Sequence, residues 1–196
     1  MSTRNEQRKA TERLVLTGLL SALVAVLSYL GGFIQIGVAS VNISLVPVVI
    51  GAAIIGPAAG AWLGAVMGVF FFLSKDAALW FSLSIPGTVI TVMLKGILAG
   101  LAAGLVYKLL RRFNRYGAVL GAAVICPIVN TGIFLLGCLV FFFDTVSSWA
   151  AAEGTALATY FIVGMVGVNF LIEFAANVLL SNAIYSILTI FDKRKK

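Results

Sequence analysis

The chain predicts an all-α membrane protein of six transmembrane helices with both termini cytoplasmic. Three observations carry that expectation: composition, the lengths of the apolar runs and the placement of positive charge. With 61% hydrophobic and 11% charged residues in 196, a soluble fold would be left with a greasy surface, so the solvent for most of this chain is lipid. The apolar runs cover about Leu14 to Leu30, Ile43 to Leu73, Ile85 to Leu109, Tyr116 to Phe143 and Leu157 to Ile190. A crossing needs about 20 helical residues, and the second run is too long for one.

Each helix is justified in turn. The first, Leu14 to Leu30, follows a basic stretch; its core is too long for a cleaved signal and ends without a small-x-small site, so it is expected to stay. Gly56-Pro57 divides the second run into helices of about Leu45 to Ile55 and Ala58 to Leu73, because that dipeptide turns the chain and stops a helix. The fourth, fifth and sixth helices are the remaining runs.

Charge tests this count independently. All but two of the fourteen Lys and Arg fall in three clusters: Arg4, Arg8, Lys9, Arg13; Lys108, Arg111, Arg112, Arg115; and Lys193 to Lys196. Positive charge stays cytoplasmic, and the first two clusters share a side only if the chain turns at Gly56-Pro57. The connections from Gly31 to Ser44, Ser74 to Ser84 and Asp144 to Ala156 then lie outside. The chain is read as one membrane-embedded domain, 1–196, with a basic N-terminus at 1–12 and a basic tail at 192–196.

Several functions are excluded. Histidine is absent, and no Glu-Glu pair or Ser-His arrangement offers acid–base or nucleophilic chemistry, so the chain is read as no enzyme. Cys126 and Cys138 sit in apolar sequence and read as small core residues. No phosphate-binding G-x-x-x-x-G-K-[ST] loop occurs, so energy for active transport must come from a partner. Nothing points to nucleic acid; the surrounding partner is the bilayer.

The remaining two bases are Lys75 and Lys95, and Lys95 with Glu173 are the charges set well inside the apolar runs. A charge at that depth costs several kcal/mol unless it is paired or faces a polar cavity. At 1.5 Å per residue, Lys95, Asn130 and Asn169 fall at similar depth, about 14 to 20 Å from the outer helix ends. On the sixth helix Asn169, Glu173 and Asn177 form an i, i+4, i+8 ladder that must face protein or water. Two readings stand: Lys95 neutralises Glu173 while the asparagines bridge helices, or Lys95 meets an anionic substrate and the amides orient it. The aromatic residues Trp80, Phe81, Phe141, Phe142, Phe143 and Trp149 wall a pocket or form an interfacial belt.

Small residues at four-residue spacing let helices approach closely. Gly60, Gly64 and Gly68, and Gly96, Gly100 and Gly104, read as internal packing. Gly18, Ser21, Ala22 and Ala25 on the first helix face either their own bundle or a separate membrane subunit.

These features in this order resemble the substrate-binding (S) component of energy-coupling factor (ECF) vitamin transporters. The resemblance rests on Leu16 to Ala25, Asn42-Ile-Ser-Leu-Val-Pro47, Ile50 to Gly60 with its Gly56-Pro57-x-x-Gly60 turn, and Leu94-Lys-Gly-Ile-Leu-Ala-Gly100. Lys95 to Gly104 and Pro127-Ile-Val-Asn-Thr-Gly-Ile-Phe134 look most like the pantothenate-type members. The resemblance implies a non-catalytic, multi-pass protein of a bacterial plasma membrane that captures a vitamin and joins a transmembrane coupling subunit and two ATPase subunits. ATP is hydrolysed by those partners, and no cofactor is expected in this chain.

Lys95, Asn130, Asn169, Glu173, Trp80 and Asn42 are then the expected substrate contacts. Gly18, Ser21, Ala22 and Ala25 match the family's docking motif, with Gly and Ser where alanines are usual, and the Gly31–Ser44 connection is an outer gate. A carboxylate-bearing vitamin suits Lys95, which places lipoate, biotin and folate beside pantothenate, with riboflavin a further alternative. A stand-alone facilitator or channel is the competing class.

Overall fold

In a computed structural model, residues 2–31, 35–36, 39–40 and 42–193 are described. Among them the regular elements are helices apart from two two-residue strands, β1 (Gln35–Ile36) and β2 (Ala39–Ser40), which pair antiparallel with Gln35 opposite Ser40. The helices are α1 (Ser2–Gly31), α2 (Leu45–Ile54), α3 (Pro57–Phe71), α4 (Lys75–Leu83), α5 (Ile85–Leu110), α6 (Arg115–Phe141), α7 (Phe143–Ala152), α8 (Leu157–Thr159) and α9 (Gly167–Lys193). A π-helical run, Tyr160–Val166, joins the last two.

The turn between α2 and α3 falls where the sequence places it. Gly56 has φ 132° and ψ 178°, a conformation that side chains beyond glycine rarely adopt. Pro57 follows at the first helical position, where its missing N–H is no loss. Beyond this turn α3 and α5 pack backbone to backbone. A Cβ built on Gly64 would land on the Gly96 carbonyl, one on Gly60 would land on that of Gly100, and one on Gly104 would meet Pro57. The small residues of α3 and α5 are therefore consumed inside the protein.

Three expectations need correction. Ser74 to Ser84 is not a plain connection: Lys75–Leu83 forms α4, bent 83° from α3. Asp144 to Ala156 likewise contains most of α7. The run from Leu157 to Ile190 is not one helix, because the hydrogen-bond ladder widens to π spacing at Tyr160–Val166, and the Gly167 N–H bonds back to the Ile162 carbonyl. Glycines at 164 and 167 make that change of ladder tolerable.

Four described helices are long and apolar enough to cross a bilayer, and the bent α3–α4 pair makes a fifth. They lie in α1, α5, α6 and α9. α2 has ten residues and rises about 15 Å. Bulky apolar side chains such as Leu14, Leu105, Val140, Leu171 and Leu179 cover the outside, as lipid requires. The basic 1–12 stretch continues into α1 from Ser2 onward, while residues 194–196 of the tail lie outside the described residues. Cys126 and Cys138 are free thiols buried in the bundle.

Candidate functional site: a polar cavity among α4, α5, α6 and α9

The i, i+4, i+8 ladder of α9 turns inward. Asn169, Glu173 and Asn177 are 7%, 6% and 0% exposed, whereas Leu171 and Leu179 beside them are 62% and 75% exposed. Ser181 extends the same buried line. Facing this ladder, α5 presents Lys95 about ten residues in, and α6 presents Asn130 one turn after Pro127, which removes one ladder hydrogen bond from that helix.

Lys95, Asn130, Asn169, Glu173, Trp80 and Asn42 all line one cavity of about 60 Å³. Asn177 does not; its Nδ2 donates to the Glu173 carbonyl of its own helix at 2.9 Å. The remaining wall comes from Phe71, Asp76, Thr131, Phe134, Met165 and Phe170.

The two charges do not form an ion pair. Nζ of Lys95 stands 5.0 Å from the centroid of Phe71 and 5.1 Å from that of Phe134, and no carboxylate comes within 4 Å of it among the described residues. Glu173 instead accepts the backbone N–H of Asn42 at 2.8 Å. The Asn42 side chain donates to Met67 Sδ at 3.2 Å and accepts from the Ser44 hydroxyl. Glu173 thereby ties the chain entering α2 to α9. Ring contacts are worth about 0.5 to 2 kcal/mol to a cation, less than the several that burial costs, so Lys95 is under-compensated. Asn130, 4% exposed, leaves its Nδ2 without a hydrogen-bond partner, a cost of about 1 to 3 kcal/mol.

Trp80 closes one side. Its ring meets Phe134 edge-on at 5.4 Å, Phe142 at 5.1 Å and Trp149 at 6.2 Å. Of the six aromatic residues singled out from sequence, Trp80 lines the cavity and Phe142 and Trp149 back it. Phe141 and Phe143 are exposed, and Phe81 lies against Phe72 at 5.5 Å. Asp76 and Met165 were missed. The signal for Asp76 was its place four residues before Trp80, one helical face in a stretch read as a connection.

On α1 the inward line is Leu20, Val24 and Ser28. Gly18 and Ala22 are exposed and Ser21 and Ala25 half-buried; a Cβ on Gly18 would meet nothing within 4 Å. Ser21 accepts the indole N–H of Trp62 at 3.2 Å. Unlike the glycines of α3 and α5, Gly18 and Ala22 are not packed against other elements among the described residues.

Residues 12–185 match the family described as ECF transporter, substrate-specific component. The chain belongs to that family. No curated protein and no solved structure matches it. Membership makes this ECF component a multi-pass membrane subunit that binds a small-molecule substrate for transport, not an enzyme, and that associates with the coupling subunit and ATPases of an ECF module. Among the described residues no three His, Cys, Asp or Glu side chains gather as a metal site. Residues 32–34, 37–38 and 41 of the Gly31–Ser44 connection, expected as the gate, lie outside the described residues.

Proposed function

We propose that this protein is the high-affinity capture subunit of an ATP-driven vitamin uptake transporter of a bacterial plasma membrane, and that its substrate is a carboxylate-bearing vitamin, pantothenate first. The observation that carries the reading is the Lys95 ammonium, held in a polar cavity with no carboxylate within 4 Å among the described residues. A substrate carboxylate supplies the missing partner, and the unpartnered Asn130 amide supplies a directional donor beside it. Asn169, Asn42 and Glu173 complete the polar wall, and Trp80 packs the carbon skeleton.

The single domain 1–196 crosses the membrane six times with both basic ends cytoplasmic. Exposed Gly18 and Ala22, flanked by Ser21 and Ala25, take the coupling subunit. This chain needs no cofactor of its own, since the partner ATPases hydrolyse ATP. A cavity of about 60 Å³ holds a few waters, so capture requires its walls to part. The connection before α2, tied by the Glu173–Asn42 bond, is the gate that moves.

Two measurements test this reading. Protein purified from cells and denatured should release pantothenate or another carboxylate vitamin on mass spectrometry; an uncharged vitamin such as riboflavin contradicts it. In sealed cells, cysteines at Ala78 and Ala152 should react with an impermeant thiol reagent and one at Phe113 should not, whereas labelling at Phe113 breaks the topology.

A further inference from the structure

Asn177 lies outside the cavity, one helical turn beyond Glu173 on the buried line of α9. Its Nδ2 donates to the Glu173 carbonyl, which fixes the orientation of the amide and leaves Oδ1 as an acceptor. That Oδ1 is buried and has no hydrogen-bond partner, a cost of about 1 to 3 kcal/mol. The Glu173 carboxylate on the same face cannot relieve it, because an ionised carboxylate only accepts hydrogen bonds. A protonated carboxyl keeps an acceptor oxygen for the Asn42 N–H and gains an O–H to donate.

Charge in the cavity points the same way. Among the described residues its wall holds one ammonium, Lys95, and two carboxylates, Glu173 and Asp76. Before substrate enters, Lys95 offsets Glu173 at a distance, without an ion pair. A substrate carboxylate that takes Lys95 leaves Glu173 with no counter-charge, and like charges crowded into one buried site do not all stay ionised. Nothing else packed against Glu173 replaces the lost cation. α2 has no ionisable side chain, the π run brings only the phenol of Tyr160, α6 brings the thiols of Cys126 and Cys138, and α9 has no other charged residue before Asp192. Asp76 on α4 adds negative charge. It is already engaged within the protein and sits in the first turn of its helix, where the dipole favours the ionised form. Glu173, in the interior of α9, has no such support.

Resting on the substrate-capture reading above, we infer that Glu173 and Asn177 form a proton-binding site coupled to the substrate site. Capture of an anionic substrate takes up one proton from water, which Glu173 holds in a hydrogen bond to Asn177 Oδ1. Anion and proton therefore enter together, with no net charge added to the membrane interior, and leave together on release.

The test is calorimetric titration of pantothenate into the purified full-length protein at about pH 8, in phosphate and in Tris, whose different heats of ionisation report the protons drawn from the buffer. Wild-type protein should take up about one proton per pantothenate, and its affinity should fall by about tenfold for each further unit of pH. Glu173→Gln is neutral at every pH and still offers Asn42 an acceptor, so it should bind without proton uptake and with an affinity that does not change with pH. Asp76→Asn should still take up the proton. Asn177→Val removes the acceptor for the Glu173 O–H, so its affinity should begin to fall at lower pH than in wild type. Binding to wild type with no proton uptake, uptake retained in Glu173→Gln, or an unchanged pH profile in Asn177→Val overturns the inference and leaves the capture reading intact.

If wild-type protein ignores pantothenate altogether, the compound released on denaturation is titrated in its place. A carboxylate bound with one proton supports the inference, a carboxylate bound without one overturns it, and an uncharged vitamin overturns both readings.

Discussion

Two regions of this molecule show opposite ways of using a membrane interior. Between α3 and α5, glycines bring backbones into contact, and there is no room for even a methyl group at Gly60, Gly64, Gly96 or Gly100. Among α5, α6 and α9, starting from Lys95 immediately beside Gly96, polar side chains line a cavity instead, with Lys95 and Asn130 incompletely satisfied. In lipid, helices associate through close packing and not through hydrophobic burial. The seam therefore supplies cohesion, and the cavity layer is where cohesion is given up for chemistry. Substitutions in the seam should damage folding, and substitutions in the cavity should damage binding.

The largest effect is expected at the seam. Gly64→Leu drives a side chain into the Gly96 backbone, which cannot move aside as a flexible side chain would, and the cost should exceed the 1 to 3 kcal/mol typical of overpacking. Loss of monodisperse protein in detergent checks this, whereas a folded variant with normal melting breaks the contrast. Next is α1, whose small face is open. Ala22→Phe should abolish uptake in cells carrying the full transporter while leaving ligand affinity within about threefold, because a bulky residue there blocks a partner helix without reaching the cavity. Loss of affinity as well as uptake shows that this face packs internally.

The smallest effect is local. Glu173→Ala removes the acceptor of the Asn42 N–H, and a hydrogen bond to a charged group is worth about 1.5 to 3 kcal/mol. Hydrogen exchange at Asn42 should therefore speed up by about tenfold or more, while Glu173→Gln, which keeps an acceptor oxygen, should change it less. Equal exchange in all three proteins shows that Glu173 does not tie the α2 entry to α9.

The cavity was legible where lipid makes a residue expensive. Lys95, Asn130, Asn169 and Glu173 stood out because charged and amide side chains in apolar runs need an internal destination, and all four reach the same one. Gly56-Pro57 was legible because its backbone demands are local. Asp76 was not, since in a nine-residue segment with its own charges one helical face looks like an ordinary connection. The π run left no trace either, because a ladder shifted by one residue does not alter a uniformly apolar pattern. For α1 the small residues were visible, but which of them the bundle consumes depends on how α1 leans on α3, where Trp62 reaches Ser21.

The central claim is that Lys95 holds a substrate carboxylate and is not committed to Glu173. Lys95→Met removes the charge and keeps most of the apolar stem, so ligand affinity and ligand-free thermal stability of this one variant test the claim together. Affinity should fall by the 2 to 5 kcal/mol typical of truncating one partner of a buried charge pair, about 30-fold or more, while ligand-free stability stays within about 1 kcal/mol, because no ion pair is broken. Unchanged affinity, or a destabilised protein restored by adding Glu173→Gln, contradicts it.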